Sequence, residues 1–233
     1  MSYFISIARV AVTKKGEIFM KVLIINGTPK LDGVCYSFVR AAEVAAKALS
    51  VDIETIRLSG EKLMKCQMCD GGWGICFKDH RCIFGEKDGF TTLQKKVQEA
   101  DLYVYITPVY WGEISEEMKI FLDKLRRCEA TKQWDKREDE VSHHKGKGSI
   151  LVAAAGGGGG GTLSALEVLE RAVVQMGGDE WPREQDGIFD YIAVNRWNQE
   201  YKRETLKSAI KDWVAIHRGE KEVPNMNKGP NGA

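Results

Sequence analysis

The feature that most constrains this chain is a repeated alternation of short apolar runs and segments with helical spacing. KVLIIN (Lys21 to Asn26) is β-branched and apolar, breaks off at the turn-rich GTPKLDG, and reads as a fully buried strand. FVRAAEVAAKAL then places apolar residues at helical intervals up to Leu49, and VDIETIRL (Val51 to Leu58) alternates like a strand. The pattern resumes with GFTTLQKKVQEA as helix and DLYVYITP as strand. SEEMKIFLDKLRRCEA follows as a helix with Ser115 as its N-cap and Lys124, Arg126 and Arg127 towards its end. GSILVAAA is a fourth strand, TLSALEVLERAVVQMG a helix, GGDEWP and IFDYIAV candidate strands, and RWNQEYKRETLKSAIKDWVAIHR the last helix. Such alternation implies a doubly wound parallel sheet covered on both faces, with ligands bound outside the carboxyl ends of its strands. Four loops fall on that edge: Gly27 to Ser37, the cysteine segment Cys66 to Cys82, Thr107 to Gly112, and Gly156 to Gly161.

Charge and hydropathy narrow the partners. Lysine plus arginine number 34 against 33 aspartates and glutamates, with no basic patch interleaved with aromatics, so a small ligand is expected rather than nucleic acid. No apolar run approaches the roughly 20 residues that span a bilayer. In MSYFISIARVAVTKKGEIFM the positive charges follow the short apolar stretch, unlike a signal peptide. Residues 1–19 are therefore expected to be an N-terminal extension and 20–218 a single cytoplasmic domain. Residues 131–147 form a charged exposed insertion within it, and 219–233 a polar tail.

Each loop offers distinct chemistry. Gly27 to Ser37 joins a buried strand to a helix N-terminus, and backbone amides with the hydroxyls of Thr28 and Ser37 suit a phosphate. It is not a Walker A loop, since no Gly-Lys-Ser/Thr follows. Pro108, Val109, Tyr110, Trp111 and Gly112 put two aromatics where they can flank a planar ring, or merely pack beneath a lid. The six glycines from Gly156 to Gly161 match G-x-G-x-x-G only as any glycine run does; their physical content is a wall without side chains, open to a flat ligand or simply flexible.

KVLIINGTPKLDG, the cysteine-rich loop, EADLYVYITPVYWGEISEEMKIFLDKLRR and GKGSILVAAAGGGGGG together resemble the flavodoxin-like NADPH-dependent FMN reductase family, especially its iron–sulfur flavoprotein branch. The resemblance runs from about Lys21 to Met176, and RWNQEYK also looks like that group. It implies a flavodoxin-like, doubly wound, parallel five-stranded sheet with helices on both faces. It further implies FMN phosphate at Thr28, Pro29, Lys30, Cys35 and Ser37. The isoalloxazine would lie against Pro108 to Gly112, with the loop of Gly156, Gly157 and Gly161 closing its other side. Val34 and Cys35 replace the family's polar pair, leaving Thr28, Lys30, Ser37 and backbone amides to hold the phosphate.

Four of the six cysteines lie between Cys66 and Cys82. In a reducing cytosol this favours metal or redox chemistry over a disulfide scaffold. Cys66, Cys69, Cys76 and Cys82 are the ligand set of a [4Fe–4S] cluster or a structural zinc, and glycines 71, 72 and 74 would let the backbone wrap around it. The resemblance favours iron–sulfur, while spacing wider than the family's keeps zinc open. A redox dithiol and unligated thiols are the other readings. Cys35 and Cys128 are expected as small packing residues, Trp73 as a cover for the cysteine site or a packing residue, and His80, His143 and His144 as exposed. The expected function is an FMN-dependent oxidoreductase drawing electrons from NAD(P)H or a ferredoxin-like carrier and passing them to a quinone, flavin or oxygen. A non-enzymatic electron-transfer protein is the alternative. The resemblance also implies a homodimer or homotetramer.

Overall fold

A computed structural model of the protein describes residues 20–134, 141–180 and 192–222. Strand β1 (Lys21–Asn26) leads into α1 (Val34–Ala48) and β2 (Asp52–Arg57). A long excursion carrying the one-turn helix α2 (Ile75–Lys78) precedes α3 (Phe90–Glu99), β3 (Leu102–Tyr110) and the two-residue β4 (Glu113–Ile114). Then come α4 (Glu116–Trp134), β5 (Gly148–Ala154), α5 (Thr162–Gln175), β6 (Asp179–Glu180), β7 (Ile192–Val194) and α6 (Gln199–His217). The sheet runs β2-β1-β3-β5 with every pair parallel, the flavodoxin-like order. Its fifth position is divided: β6 pairs with the start of β5 and β7 with its end. Of the two candidate strands there, residues 181–191 lie outside the described residues, as do residues 1–19 and 223–233.

Period-two alternation in the strands separates two cores. Val22 and Ile24 of β1, Leu102, Val104 and Ile106 of β3, and Ile150 and Val152 of β5 pack beneath α1 and α6. Leu23, Ile25, Tyr103, Tyr105 and Leu151 face α3, α4 and α5. Strands buried on both faces read as continuous apolar runs, which is why these were legible. Gly148 begins β5 because the Trp213 ring of α6 lies against it: a Cβ there would meet Trp213 Cδ2 at 2.5 Å.

The region expected as an exposed insertion is corrected in part. Helix α4 continues through Trp134, residues 135–140 lie outside the described residues, and the segment after them returns to the core. His144, expected to be exposed, is fully buried; it stacks on Tyr103 with ring centres 4.2 Å apart and places Nε2 2.8 Å from the Tyr105 hydroxyl. His143 is half-buried, its amide donating to Glu129 Oε2 at 2.9 Å. Glu129 is buried and also meets Lys132 and Ser142. Burial alone would raise its carboxyl, but His143 and Lys132 hold it well below the usual range.

Burial holds His144 down to about 3, against the pull of Glu129 and with the help of Lys147, His143 and Lys132. Between that value and the ordinary 6.5 the unfolded chain binds a proton that the folded chain refuses, so stability is full above 6.5 and falls as pH drops towards 3. A His144→Phe protein is expected to be less stable at pH 8, because the Tyr105 hydroxyl loses its partner, yet to lose less melting temperature between pH 7 and pH 5. Parallel melting curves for the two proteins over that range would discount His144 as the titrating group.

Candidate functional site

The register brings Arg57, Asn26, Ile106, Ala154 and Val194 to one edge of the sheet, with the four expected loops beyond them. At the first loop, α1 begins at Gly33 with no side-chain cap and no acidic residue in its first turn, so its positive end is left for a ligand. Thr28 is buried; its amide donates to Asn26 Oδ1 at 2.9 Å and its hydroxyl oxygen accepts from the Lys30 amide at 3.3 Å. Asn26 Nδ2 is buried at the floor of this loop without a partner among the described residues. The Ser37 hydroxyl donates to the Val34 carbonyl at 2.7 Å. Cys35 packs into the core, where burial pushes its thiol up to about 12, so only its amide faces the loop's chemistry. Two cations that the sequence reading missed flank the loop. Arg57 donates to the Pro29 carbonyl, and Arg203 of α6 reaches Ser37 Oγ.

The second region is a hairpin rather than an open loop. Strand β3 runs on through Tyr110, and Val109 and Tyr110 pair antiparallel with Ile114 and Glu113. Trp111 and Gly112 form the two-residue turn with φ of 54° and 84°, the left-handed pair such hairpins demand. Pro108 is buried, Tyr110 half-exposed, and the Trp111 indole wholly exposed. The expected N-cap is present: Ser115 Oγ accepts from the Met118 amide, and it also donates to the Gly27 carbonyl at 2.8 Å.

The glycine loop meets this hairpin backbone to backbone. Gly161 has a φ of 81°, and a Cβ there would run into Gly112 Cα. Ser164 donates to the Gly112 carbonyl at 2.6 Å, a bond between distant loops with no local signature. At Gly156, Gly157 and Gly160 an added Cβ would meet nothing, so the loop keeps an open face, while Trp197 closes against Gly158.

The cysteine segment folds back on α4. Met68, Asp70, Gly71 and Gly72 all take positive φ, which makes a tight left-handed turn around the C-x-x-C pair. Cys66, Cys69, Cys76 and Cys82 line one partly open cavity of about 30 Å³, together with Lys65, Lys124, Arg127 and Cys128. The thiols surround this cavity without gathering on a single point: among the described residues no three histidine, cysteine or acidic side chains are arranged around one metal ion. Burial pushes the Cys76 thiol up, while Arg127 pulls it down and Cys66 and Cys82 push it further. Cys128 is buried and packs in the core, its thiol raised by burial. A groove lined by Cys66, Met68, Tyr110, Ile114 and Arg127 joins the cysteine segment to the hairpin. His80, expected to face solvent, is buried, with Nδ1 2.9 Å from Thr131 Oγ1. Trp73 lies between Arg127, 5.0 Å from its ring centre, and Phe77 in an edge contact.

The family model described as NADPH-dependent FMN reductase matches residues 20–181. The chain belongs to that family. It is 31% identical over 107 residues to an iron-sulfur flavoprotein of Methanocaldococcus jannaschii, a match covering 46% of this chain and 52% of that one. The chain spans about half the length of the curated relatives it matches. In solved structures its fold is similar to an NAD(P)H:quinone oxidoreductase from Methanothermobacter marburgensis, with a TM-score of 0.56, 14% identity, and coverage of 89% of this chain and 99% of that one. An FMN-dependent NADH-azoreductase from Bacillus anthracis, in complex with FMN, gives a TM-score of 0.54 and 16% identity over 83% of this chain and 99% of that one.

Asp88 was also missed, because a single aspartate before a helix reads only as a turn. It is buried, accepts from the Met64 amide at 2.9 Å and the Phe90 amide at 3.2 Å, and pairs with the buried Lys124 ammonium. One carboxylate thus ties both ends of the cysteine excursion to α4. Asp88→Ala leaves Lys124 buried without its partner and is expected to cost about 3–5 kcal/mol of stability, seen as a lower urea midpoint and faster proteolysis within residues 64–88. An unchanged midpoint would show that Asp88 does not hold the loop.

Proposed function

We propose that this chain binds FMN at the carboxyl edge of its sheet and moves electrons from NAD(P)H or a reduced protein carrier to a small acceptor such as a quinone, a flavin or oxygen. In this reading Cys66, Cys69, Cys76 and Cys82 hold a [4Fe–4S] cluster. The observation that carries it is the groove: the cysteine segment, through Cys66 and Met68, and the hairpin, through Tyr110, open onto the same space. Four cysteines lining one cavity are the donor set that such a cluster would use. The names of the curated relatives, iron-sulfur flavoproteins, support an iron–sulfur group.

The residues present fit an anionic, planar cofactor. The uncapped start of α1, the orphaned Asn26 amide, and Arg57 and Arg203 supply donors and positive charge for a phosphate. Thr28 presents its hydroxyl, Lys30 its exposed side chain, and Cys35 its amide. Gly112 and Gly161 allow the hairpin and the glycine loop to meet, and the open faces of Gly156, Gly157 and Gly160 leave room for a ring. Bound FMN would exchange electrons in pairs or singly, and a cluster would exchange them singly. The chain's part is to orient the cofactor between the hairpin and the glycine loop and to set the charge and burial around the thiols. The exposed Trp111, Trp197 and Tyr201 are the natural surfaces of a homodimer or homotetramer.

Protein purified without oxygen is expected to show a flavin spectrum over a broad sulfur-to-iron band that bleaches with dithionite, with iron and acid-labile sulfide in equal amounts. A flavin spectrum with zinc instead would end the cluster reading, and no FMN binding at all would end the whole proposal. Cofactor-loaded protein that never oxidises NAD(P)H would be an electron carrier rather than an enzyme. Gly161→Ala, forced against Gly112 and into an unfavourable backbone conformation, is expected to weaken FMN binding roughly tenfold, about 1.4 kcal/mol, in a fluorescence-quenching titration. Wild-type affinity in that variant would take the glycine loop out of the flavin site.

A further inference from the structure

Three cations line the thiol cavity: Lys65, Lys124 and Arg127. Two are already matched. Lys124 pairs with buried Asp88, and Lys65 pairs with Glu116 at 2.8 Å. Arg127 is held differently: its guanidinium donates to the Gly72 carbonyl and lies 5.0 Å from the Trp73 ring centre, and no carboxylate among the described residues forms an ion pair with it. It also lines the groove that reaches Tyr110. An unmatched positive charge therefore stands in the wall shared by the cavity and the groove.

The charge balance of the site gives that position a consequence. Four thiolates bring more negative charge than the iron–sulfide core of a cluster offsets, so the guest of this half-buried cavity is a net anion. A net anion out of bulk water needs an opposing charge nearby. Helix α4 fixes the guanidinium from one side and the Gly72 carbonyl from the other, so its charge is held in place before any guest binds.

We propose that Arg127 is the positioning and charge-setting residue of the cysteine site: it pins the Asp70–Trp73 turn to α4 and raises the reduction potential of the cluster held by Cys66, Cys69, Cys76 and Cys82. This rests on the cluster reading above. One electron delivered by dithionite adds one negative charge to the cluster while no bond breaks and no proton moves. Arg127 stabilises the reduced form more than the oxidised one. Removing its charge shifts the midpoint to a more negative potential. Arg127→Lys keeps the charge but loses the planar fork and ring stacking, whereas Arg127→Gln loses the charge.

The test uses the full chain as wild type, Arg127→Gln and Arg127→Lys, all purified and reconstituted without oxygen. Iron, sulfide and FMN per chain are measured alongside the cluster midpoint from a dithionite titration followed by electron paramagnetic resonance. The expected result is a more negative midpoint in Arg127→Gln only, or cluster retention lowered about tenfold or more in that variant, with FMN content unchanged and Arg127→Lys close to wild type. Equal midpoints and equal iron in Arg127→Gln and wild type would overturn the assignment while leaving the cluster reading intact. An Arg127→Lys midpoint as negative as that of Arg127→Gln would also overturn it, since charge would then not be the property that sets the potential. Wild-type protein without iron and sulfide after reconstitution would instead overturn the cluster reading, and this inference with it.

Discussion

The Asp88 carboxylate is the constraint on which the cysteine side of the molecule depends. The excursion between β2 and α3 has little regular structure of its own: it contains one short α-helix, two 3₁₀ turns and several left-handed residues. Asp88 gathers the Met64 amide from the start of the excursion, the Phe90 amide from its end and the Lys124 ammonium from α4. A buried ion pair contributes little net stability, since desolvation cancels much of the attraction. Its effect here is geometric. It fixes the base of the loop, from which the cysteine segment departs and to which it returns.

Helix α4 reads the loop along a single stripe. Lys124, Arg127, Cys128 and Thr131 follow one another at helical intervals of three and four, and each meets a different part of the excursion. Lys124 takes the base, Arg127 the Gly72 turn, Cys128 the cavity floor, and Thr131 the Cys76 carbonyl and His80. A neighbouring stripe, Glu129 and Lys132, receives Ser142 and His143. Lys124, Glu129, Thr131 and Lys132 of α4 are thus turned inward, while Glu116, Lys119 and Asp123 keep the solvent face its charged sequence suggests. The arrangement holds because each buried polar group found a partner, without which it would destabilise the fold.

This explains what was legible in the sequence and what was not. KVLIIN, DLYVYITP and GSILVAAA announce strands because both faces of a parallel sheet are buried, and the edge carrying the loops then follows from topology alone. Local signals also carried the Ser115 cap and the clustering of the four cysteines. What failed to show were contacts between residues far apart in the chain. His144 sits in a run of lysines and histidines that looks solvated, and only the two tyrosines of β3, some forty residues earlier, make its burial favourable. Arg57 and Arg203 lie in different elements and meet at one loop only through the sheet order. The hairpin after β3 was hidden because a tryptophan occupies a turn position that ordinarily goes to asparagine or glycine.

That tryptophan is the point at which stability alone does not account for the sequence. A bulky aromatic with positive φ costs on the order of 1–3 kcal/mol, and Trp111 recovers none of it by packing, since its indole is wholly exposed. The turn is fixed from both sides: Gly112 is locked against Gly161 and bonded by Ser164, while Ser115 beyond the hairpin is bonded to Gly27. The three ligand-edge loops are thus tied to one another through the hairpin. Asparagine or glycine would serve the hairpin better and present nothing to the space outside it. The physical return on the strain lies in what an indole, exposed at the ligand edge beside Tyr110, offers to a planar ligand or a neighbouring subunit.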